Sequence, residues 1–184
     1  MKLFIDTATK FLYVALIEEG IVDLVSKIGN NDHSKTLMVE IEEMFVRNNI
    51  SIKDIDEIIV GEGPGSYTGV RIGVVVAKTF AHFNNIKLKK VSTLEVLAST
   101  FTGKVAVMVD ARRGHVFSAV YDVDNDYLVI IEPKMRLEED FKEEVKGIKV
   151  VTIDNANIRP NLLKTTLVEN VHAFSPNYLR EWGE

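Results

Sequence analysis

The sequence predicts an α/β fold of two related lobes, the second one short. Three observations lead there. Two apolar strands that end in aspartate, Phe4-Ile5-Asp6 and Met108-Val109-Asp110, are each followed by a polar turn and a pair of strands. Their offset is 110 minus 6, or 104 residues, which reads as a duplicated β-meander. Behind each meander, helical periodicity alternates with short apolar runs, as in crossover α/β units.

Each element has its own signal. Residues 2–6 form an apolar strand, closed by the polar turn Thr7-Ala8-Thr9-Lys10. Residues 11–17 and 21–28 read as a hairpin about Glu18-Glu19-Gly20. Asp32 or Ser34 can cap a helix that runs to Asn48, with Leu37, Met38, Ile41, Met44 and Phe45 on its apolar stripe. Residues 57–60 are a short apolar run suited to a buried parallel strand. The Gly/Pro-rich turn of residues 61–65 leads into a long helix over 66–83. Residues 87–91 form a further strand, and Ser92 with Glu95 makes a capping box that starts a helix to Thr100.

The pattern then restarts. Residues 104–110 are a strand, Ala111-Arg112-Arg113-Gly114 a turn, and residues 115–122 and 127–132 a second hairpin. A helix near residues 137–145, a strand at 148–153 and one or two helices are expected after it. The first lobe therefore takes residues 1–103 and the second, shortened lobe residues 104–184.

Composition sets limits. The chain of 184 residues is 46% hydrophobic and 27% charged, as a folded globular protein is. Subtracting 27 acidic from 22 basic residues leaves a net charge of -5, which excludes a strongly basic nucleic-acid coat but not a local basic patch. Zero cysteines exclude disulfide scaffolds, thiolate zinc sites and cysteine nucleophiles. The longest apolar runs, such as residues 73–77 and 105–109, are too short to span a bilayer, and no signal-peptide pattern opens the chain. The expected location is the cytoplasm.

The segment GEGPGSYTGVRIGVVVAKTFA, from Gly61, stands out. A glycine-rich turn at a helix N-terminus exposes backbone N–H groups to an anion, so Gly63, Gly65 and Ser66 are phosphate candidates. It lacks the lysine of a P-loop and the spacing of a dinucleotide fingerprint. The structural reading weighs more. Gly65, Gly69, Gly73, Ala77 and Ala81 recur every four residues, which leaves a stripe with almost no side chain for close approach of another backbone. That backbone can belong to the protein's own sheet or to a partner helix, with Val70, Val74 and Phe80 then facing the protein's own core.

Asp6, Thr7 and Thr9 sit where such meanders place groups near phosphates or a metal, although an Asx or ST turn is the commoner use. Asp110 has the same two readings. The histidines His33, His82, His115 and His172 hold no local metal-binding spacing. His33 at a helix start can meet a ligand or simply cap. Ser66 lacks the nucleophile-elbow pattern and suits an N-cap. Arg112 and Arg113 form a compact basic turn that can contact phosphate or tRNA, or be solvated. The acids of residues 138–144 read as the wet face of a helix.

The segments IDTAT, GPGSYTGVRIG, VSTLE, DARRGHV and PNYLR together resemble the TsaB (YeaZ) family of bacterial tRNA threonylcarbamoyladenosine biosynthesis proteins, over Leu3 to Tyr121 and again over Pro176 to Arg180. The resemblance implies an actin-like, Hsp70-like ATPase (ribonuclease H-like) fold. It implies a non-catalytic partner subunit in making N6-threonylcarbamoyladenosine at position 37 of tRNAs that read codons beginning with A. The implied partners are the catalytic subunit TsaD, bound as a heterodimer and activated, and the ATPase TsaE; tRNA is met through the complex, and a homodimer forms in isolation. Family relatives dock through helices of the first lobe, which carries over to Leu37, Met38, Ile41, Phe45, Gly65, Gly69, Gly73 and Ala77. No cofactor of its own is implied; ATP or ADP and a divalent metal belong to the partner subunits. The alternative is a stand-alone ATPase or a glycoprotease-like peptidase of the same fold. Against it stand the absent cysteine, serine elbow and paired histidines, and the missing glycine in Asp6-Thr7-Ala8-Thr9.

Overall fold

The computed structural model describes residues 1–29 and 33–179. Asp32 and Arg180 lie outside the described residues, as does the side chain of His33, so the roles raised for them stay with the sequence.

The first meander is β1 (Lys2–Asp6), β2 (Phe11–Ile17) and β3 (Ile21–Ile28). Helix α1 (His33–Arg47) follows, then β4 (Glu57–Gly61), α2 (Tyr67–Asn84), β5 (Lys87–Val91) and α3 (Thr93–Ala98). The second meander is β6 (Lys104–Arg112), β7 (His115–Asp122) and β8 (Leu128–Leu137). A short α4 (Glu138–Glu144), β9 (Lys149–Val151) and β10 (Thr166–Leu167) complete the elements.

The duplication expected from the two aspartate-ended strands is present in the topology. In the first sheet the order is β10-β5-β4-β1-β2-β3, and in the second it is β8-β7-β6-β9. Each meander is antiparallel, and its first strand takes one parallel neighbour on the other side: β4 beside β1, and β9 beside β6.

Alternation along β1 and β2 divides the core. Leu3, Ile5, Leu12, Val14 and Leu16 point to one face, where α1 and α2 cover them with Leu37, Ile41, Met44, Val70, Val74, Ala77 and Ala81. Phe4, Tyr13, Ala15 and Ile17 point to the other. There α3 lies between the two sheets, and Leu94 and Leu97 meet Val105, Val107, Phe117 and Tyr121 from the second sheet in one joint core. The small α4 covers the far face of the second sheet, with Phe141 and Val145 against Ala106, Met108 and Val120.

Two features differ from the sequence expectation. Beyond β9, the described residues hold a 3-10 turn (Pro160–Leu162) and β10 in place of a helix. β10 pairs with β5, so the chain leaves the second sheet and returns to the first. Residues 168–177 then run along α2: Val168, Val171 and Phe174 join its core, Lys78 Nζ donates to the carbonyls of His172 (3.0 Å) and Phe174 (2.7 Å), and Asn177 N donates to Glu62 O (2.8 Å).

A closed turn at Asp6 and an open apolar face on two helices

The turn after β1 is built against α2. Thr7 Oγ1 donates to the carbonyl of Gly69 at 2.7 Å and accepts from the N–H of Gly73 at 3.0 Å, so the hydroxyl touches both members of an i, i+4 backbone pair. A Cβ on Gly69 would stand 2.2 Å from Thr7 O, and one on Gly73 2.6 Å from Thr7 Oγ1. Gly65 is just as constrained: its Cβ would lie 2.1 Å from Ala8 O, which accepts from Ser66 N. Ala77 is buried in the same core.

The glycine stripe therefore faces the protein's own turn. Gly65, Gly69, Gly73 and Ala77, expected on a partner interface, are corrected to internal packing positions. Val70 and Val74 also face inward, because the sheet side of α2 is wide enough to bury both rows.

Asp6 is 1% exposed. Its Oδ1 accepts from Ala8 N and its Oδ2 from Thr93 Oγ1, both at 2.8 Å. Burial pushes its carboxyl up to about 6, against the two hydrogen bonds that favour the charged form. A Cβ at Gly61 would meet the Asp6 carboxylate at 2.1 Å, which explains a glycine at the end of β4. Thr9 is buried too, its hydroxyl bonded within the turn to Phe11. Ser66 Oγ accepts from Gly69 N as the N-cap of α2, and Gly63 turns at φ +99 with its α-carbon facing Asn177 O.

Asp6 and Thr7 do not fit a phosphate or a divalent cation, whereas Ser66 is exposed at the start of α2. The carboxylate of Asp6 and the hydroxyl of Thr7 are satisfied inside the protein, and neither residue reaches solvent. Asp6, Thr7, Thr9, Gly63, Gly65 and Ser66 are joined in one place, as expected, but as the bracket that fastens β1, α2 and α3.

The other side of α1 and α2 is open. Leu37 and Ile41, expected at a partner interface, are buried at 0% and 2% exposure and are corrected to core positions. Their stripe turns to the sheet, which leaves the next row outside. Met38, Val39 and Val46 of α1 and Val75 and Phe83 of α2 are exposed, Phe83 to 79% and Val46 to 75%. Between the helices Met38, Val39, Phe45, Val46 and Phe80 line a shallow groove of about 350 Å³, with Glu42 at its rim. Met38 and Phe45 of the expected set thus do lie on an outward face. Val39, Val46, Val75 and Phe83 lie outside the set expected from the sequence, although Val39 and Val46 are apolar residues seven apart and off the core stripe, which is a readable signal.

The family described as TsaD, tRNA N6-adenosine threonylcarbamoyltransferase, matches residues 23–180. The tRNA threonylcarbamoyladenosine biosynthesis protein TsaB of Bacillus subtilis is 33% identical, over 97% of this chain and 93% of its own. The chain belongs to the TsaB family. The TsaB of Escherichia coli is also 33% identical, over 67% of this chain and 56% of that protein. A crystal structure of an uncharacterized protein with similarity to peptidase YeaZ, from Pseudomonas aeruginosa, superposes with a TM-score of 0.81 at 22% identity, covering 97% of this chain and 99% of that one. YeaZ from Pseudomonas aeruginosa superposes with a TM-score of 0.66 at 26% identity, over 74% of this chain and 66% of that one. The architecture is the actin-like, ribonuclease H-like fold.

In this TsaB-family chain the basic turn is a hairpin tip. Arg113 and Gly114 connect β6 to β7 at φ 52 and 74, the backbone of a two-residue turn, and Arg112 is held at φ 72 beside a register shift. Arg112 N donates to Asp110 Oδ1 at 2.7 Å, and the Arg112 guanidinium lies 3.5 Å from Asp110 Oδ2. Both arginines are exposed, on the second sheet. Among the described residues, no hydrogen bond or ion pair joins them to the Asp6 turn. No helix of the described residues is long and apolar enough to cross a membrane.

Proposed function

We propose that this chain is the non-catalytic partner subunit of the assembly that makes N6-threonylcarbamoyladenosine at position 37 of tRNA, and that it binds and activates a TsaD subunit through the outer face of α1 and α2. The observation that carries this reading is the apolar groove lined by Met38, Val39, Phe45, Val46 and Phe80, together with the exposed Val75 and Phe83 of α2. An apolar groove with further exposed apolar side chains on a folded domain suits an interaction surface. Each large side chain buried there contributes about 1.5–3 kcal/mol, enough for a handful to sustain a specific complex. Family membership supports the choice of TsaD as occupant.

The closed turn supports a scaffold role. In this reading the chain holds no nucleotide of its own at Asp6; ATP or ADP, TsaE and a divalent metal belong to the partner side. A second copy can occupy the same face when TsaD is absent, and Arg112 and Arg113, both exposed, can touch tRNA in the complex. The stand-alone ATPase or peptidase reading has no specific observation in its favour.

Calorimetric titration of this chain into TsaD tests the proposal. The wild-type chain binds, and Val46→Glu with Phe83→Glu, which changes only exposed positions, loses binding by at least tenfold while the fold is retained. Binding of the folded double variant at wild-type strength would overturn the assigned face.

A further inference from the structure

His82 and His172 are far apart in the sequence, 172 minus 82 or 90 residues, and meet in the fold. Their ring centroids are 4.6 Å apart, with an interplanar angle of 70°. His82 stands in the last turn of α2, and His172 in the segment that returns along that helix. Both side chains are exposed. No metal spacing shows around either one in the sequence, because the pair is made only by the return of the chain.

Both rings stand on a held backbone. Around His172, Ala173 N donates to Asn170 Oδ1 and Phe174 N to Asn170 O, both at 3.1 Å. Lys78, one turn before His82 on α2, donates to the carbonyls of His172 and Phe174, so its ammonium is engaged by backbone oxygens. Further along the same seam, Arg71 Nε donates to Tyr178 Oη at 2.8 Å. Phe83 packs edge-on against His82, with ring centroids 5.2 Å apart.

The separation of the two rings suits a shared metal ion. An imidazole nitrogen binds Zn²⁺ at about 2.0–2.1 Å, which puts the ion about 3.2 Å from the ring centroid. Two imidazoles that meet one ion at an angle of about 90–110° then have centroids about 4.5–5.2 Å apart. The observed 4.6 Å lies inside that span. The torsion that turns an imidazole about its Cβ–Cγ bond is broad, so exposed rings can aim a nitrogen at the ion at little cost. Imidazole selects Cu²⁺, Ni²⁺ and Zn²⁺ over Mg²⁺ and Ca²⁺, which prefer oxygen ligands. Among the described residues, no third His, Cys, Asp or Glu joins the pair to make a larger metal cluster. Water fills the other positions of the ion.

We propose that His82 and His172 form a two-imidazole site for a divalent transition-metal ion, Cu²⁺, Ni²⁺ or Zn²⁺, which staples the returning segment of residues 168–177 to the end of α2. The unfolded chain does not hold the two rings together, so the ion binds the folded chain better and stabilises it, that segment above all. The site lies beside Phe83, at the margin of the proposed docking face, but its test needs no partner.

The full chain, freed of any purification tag, is titrated with Ni²⁺ by calorimetry and, labelled with nitrogen-15, with substoichiometric Cu²⁺ by NMR. One Ni²⁺ is expected to bind, and excess Mg²⁺ should not displace it. His82→Gln and His172→Gln, both at exposed positions, should each weaken binding by at least what loss of an outer-shell partner costs, about tenfold. Cu²⁺ should broaden the amide signals around residues 82 and 172 together, before those around His33 or His115. Zn²⁺ should raise hydrogen-exchange protection in residues 168–177. Unchanged Ni²⁺ affinity in either folded variant would overturn the proposal. So would broadening centred on His33 or His115 in the wild-type chain, a result that needs no variant.

Discussion

The hydroxyl of Thr7 lies 2.7 Å from the carbonyl oxygen of Gly69, inside the first turns of α2. That one approach explains why the helix carries glycine where alanine would form a better helix. It also decides which way the stripe of small residues faces.

Gly69→Ala puts a methyl group 2.2 Å from a backbone carbonyl that cannot move freely. We expect a loss of about 1–3 kcal/mol in unfolding free energy, towards the upper end. Urea unfolding measures it. An unchanged midpoint would mean that α2 shifts off β1 without penalty.

Thr7→Val keeps the shape and removes both bonds to α2. The expected loss is about 1–3 kcal/mol, since the hydroxyl serves a buried carbonyl and a buried N–H. The same unfolding measurement checks it, and Thr7→Ser should recover most of the loss.

Asp6 sets a pH dependence of its own. Its carboxyl is raised by burial to about 6 from 3.8, so the stability it contributes is complete below pH 3.8 and falls as pH rises through 6. Asp6→Asn should flatten the melting temperature across that window. Asp6→Ala should lower it at every pH, because Ala8 N and Thr93 Oγ1 lose their acceptor. Parallel curves for Asn and wild type would place the titration elsewhere.

The hairpin tip of β6 and β7 gives a cleaner separation of fold from function. Arg112→Ala with Arg113→Ala should change unfolding free energy by no more than about 0.5 kcal/mol, since both side chains are exposed. If these side chains meet tRNA phosphates in the complex, the salt dependence of tRNA binding becomes shallower in the double variant. An identical slope removes the arginines from the RNA path.

The succession of elements along the chain is legible because its signals are local. Aspartate-bearing apolar strands, two short hairpins and the Ser92 cap each show in a short stretch of sequence; their starts match to within one residue, while β6 runs on to Arg112 and β8 to Leu137, beyond the expected ends. The direction of the α2 stripe was not legible. A row of glycine and alanine marks a close approach but does not name the other backbone, and here that backbone is Thr7-Ala8, about 60 residues earlier. Leu37 and Ile41 failed for a related reason: one amphipathic helix has one apolar stripe in sequence, yet α1 also bears Val39 and Val46 on its outside. The return of β10 to the first sheet has only a two-residue strand as its signal, too short for periodicity to register.

Reconstituted tRNA modification tests the central claim most directly. TsaD, TsaE, threonylcarbamoyl-adenylate and substrate tRNA are combined with and without this chain, and modified adenosine is quantified. The account predicts modification only when the chain is present, none from the chain alone, and loss of the stimulation with Val46→Glu and Phe83→Glu. Full modification without the chain, together with ATP or peptide hydrolysis by the chain alone, would contradict it.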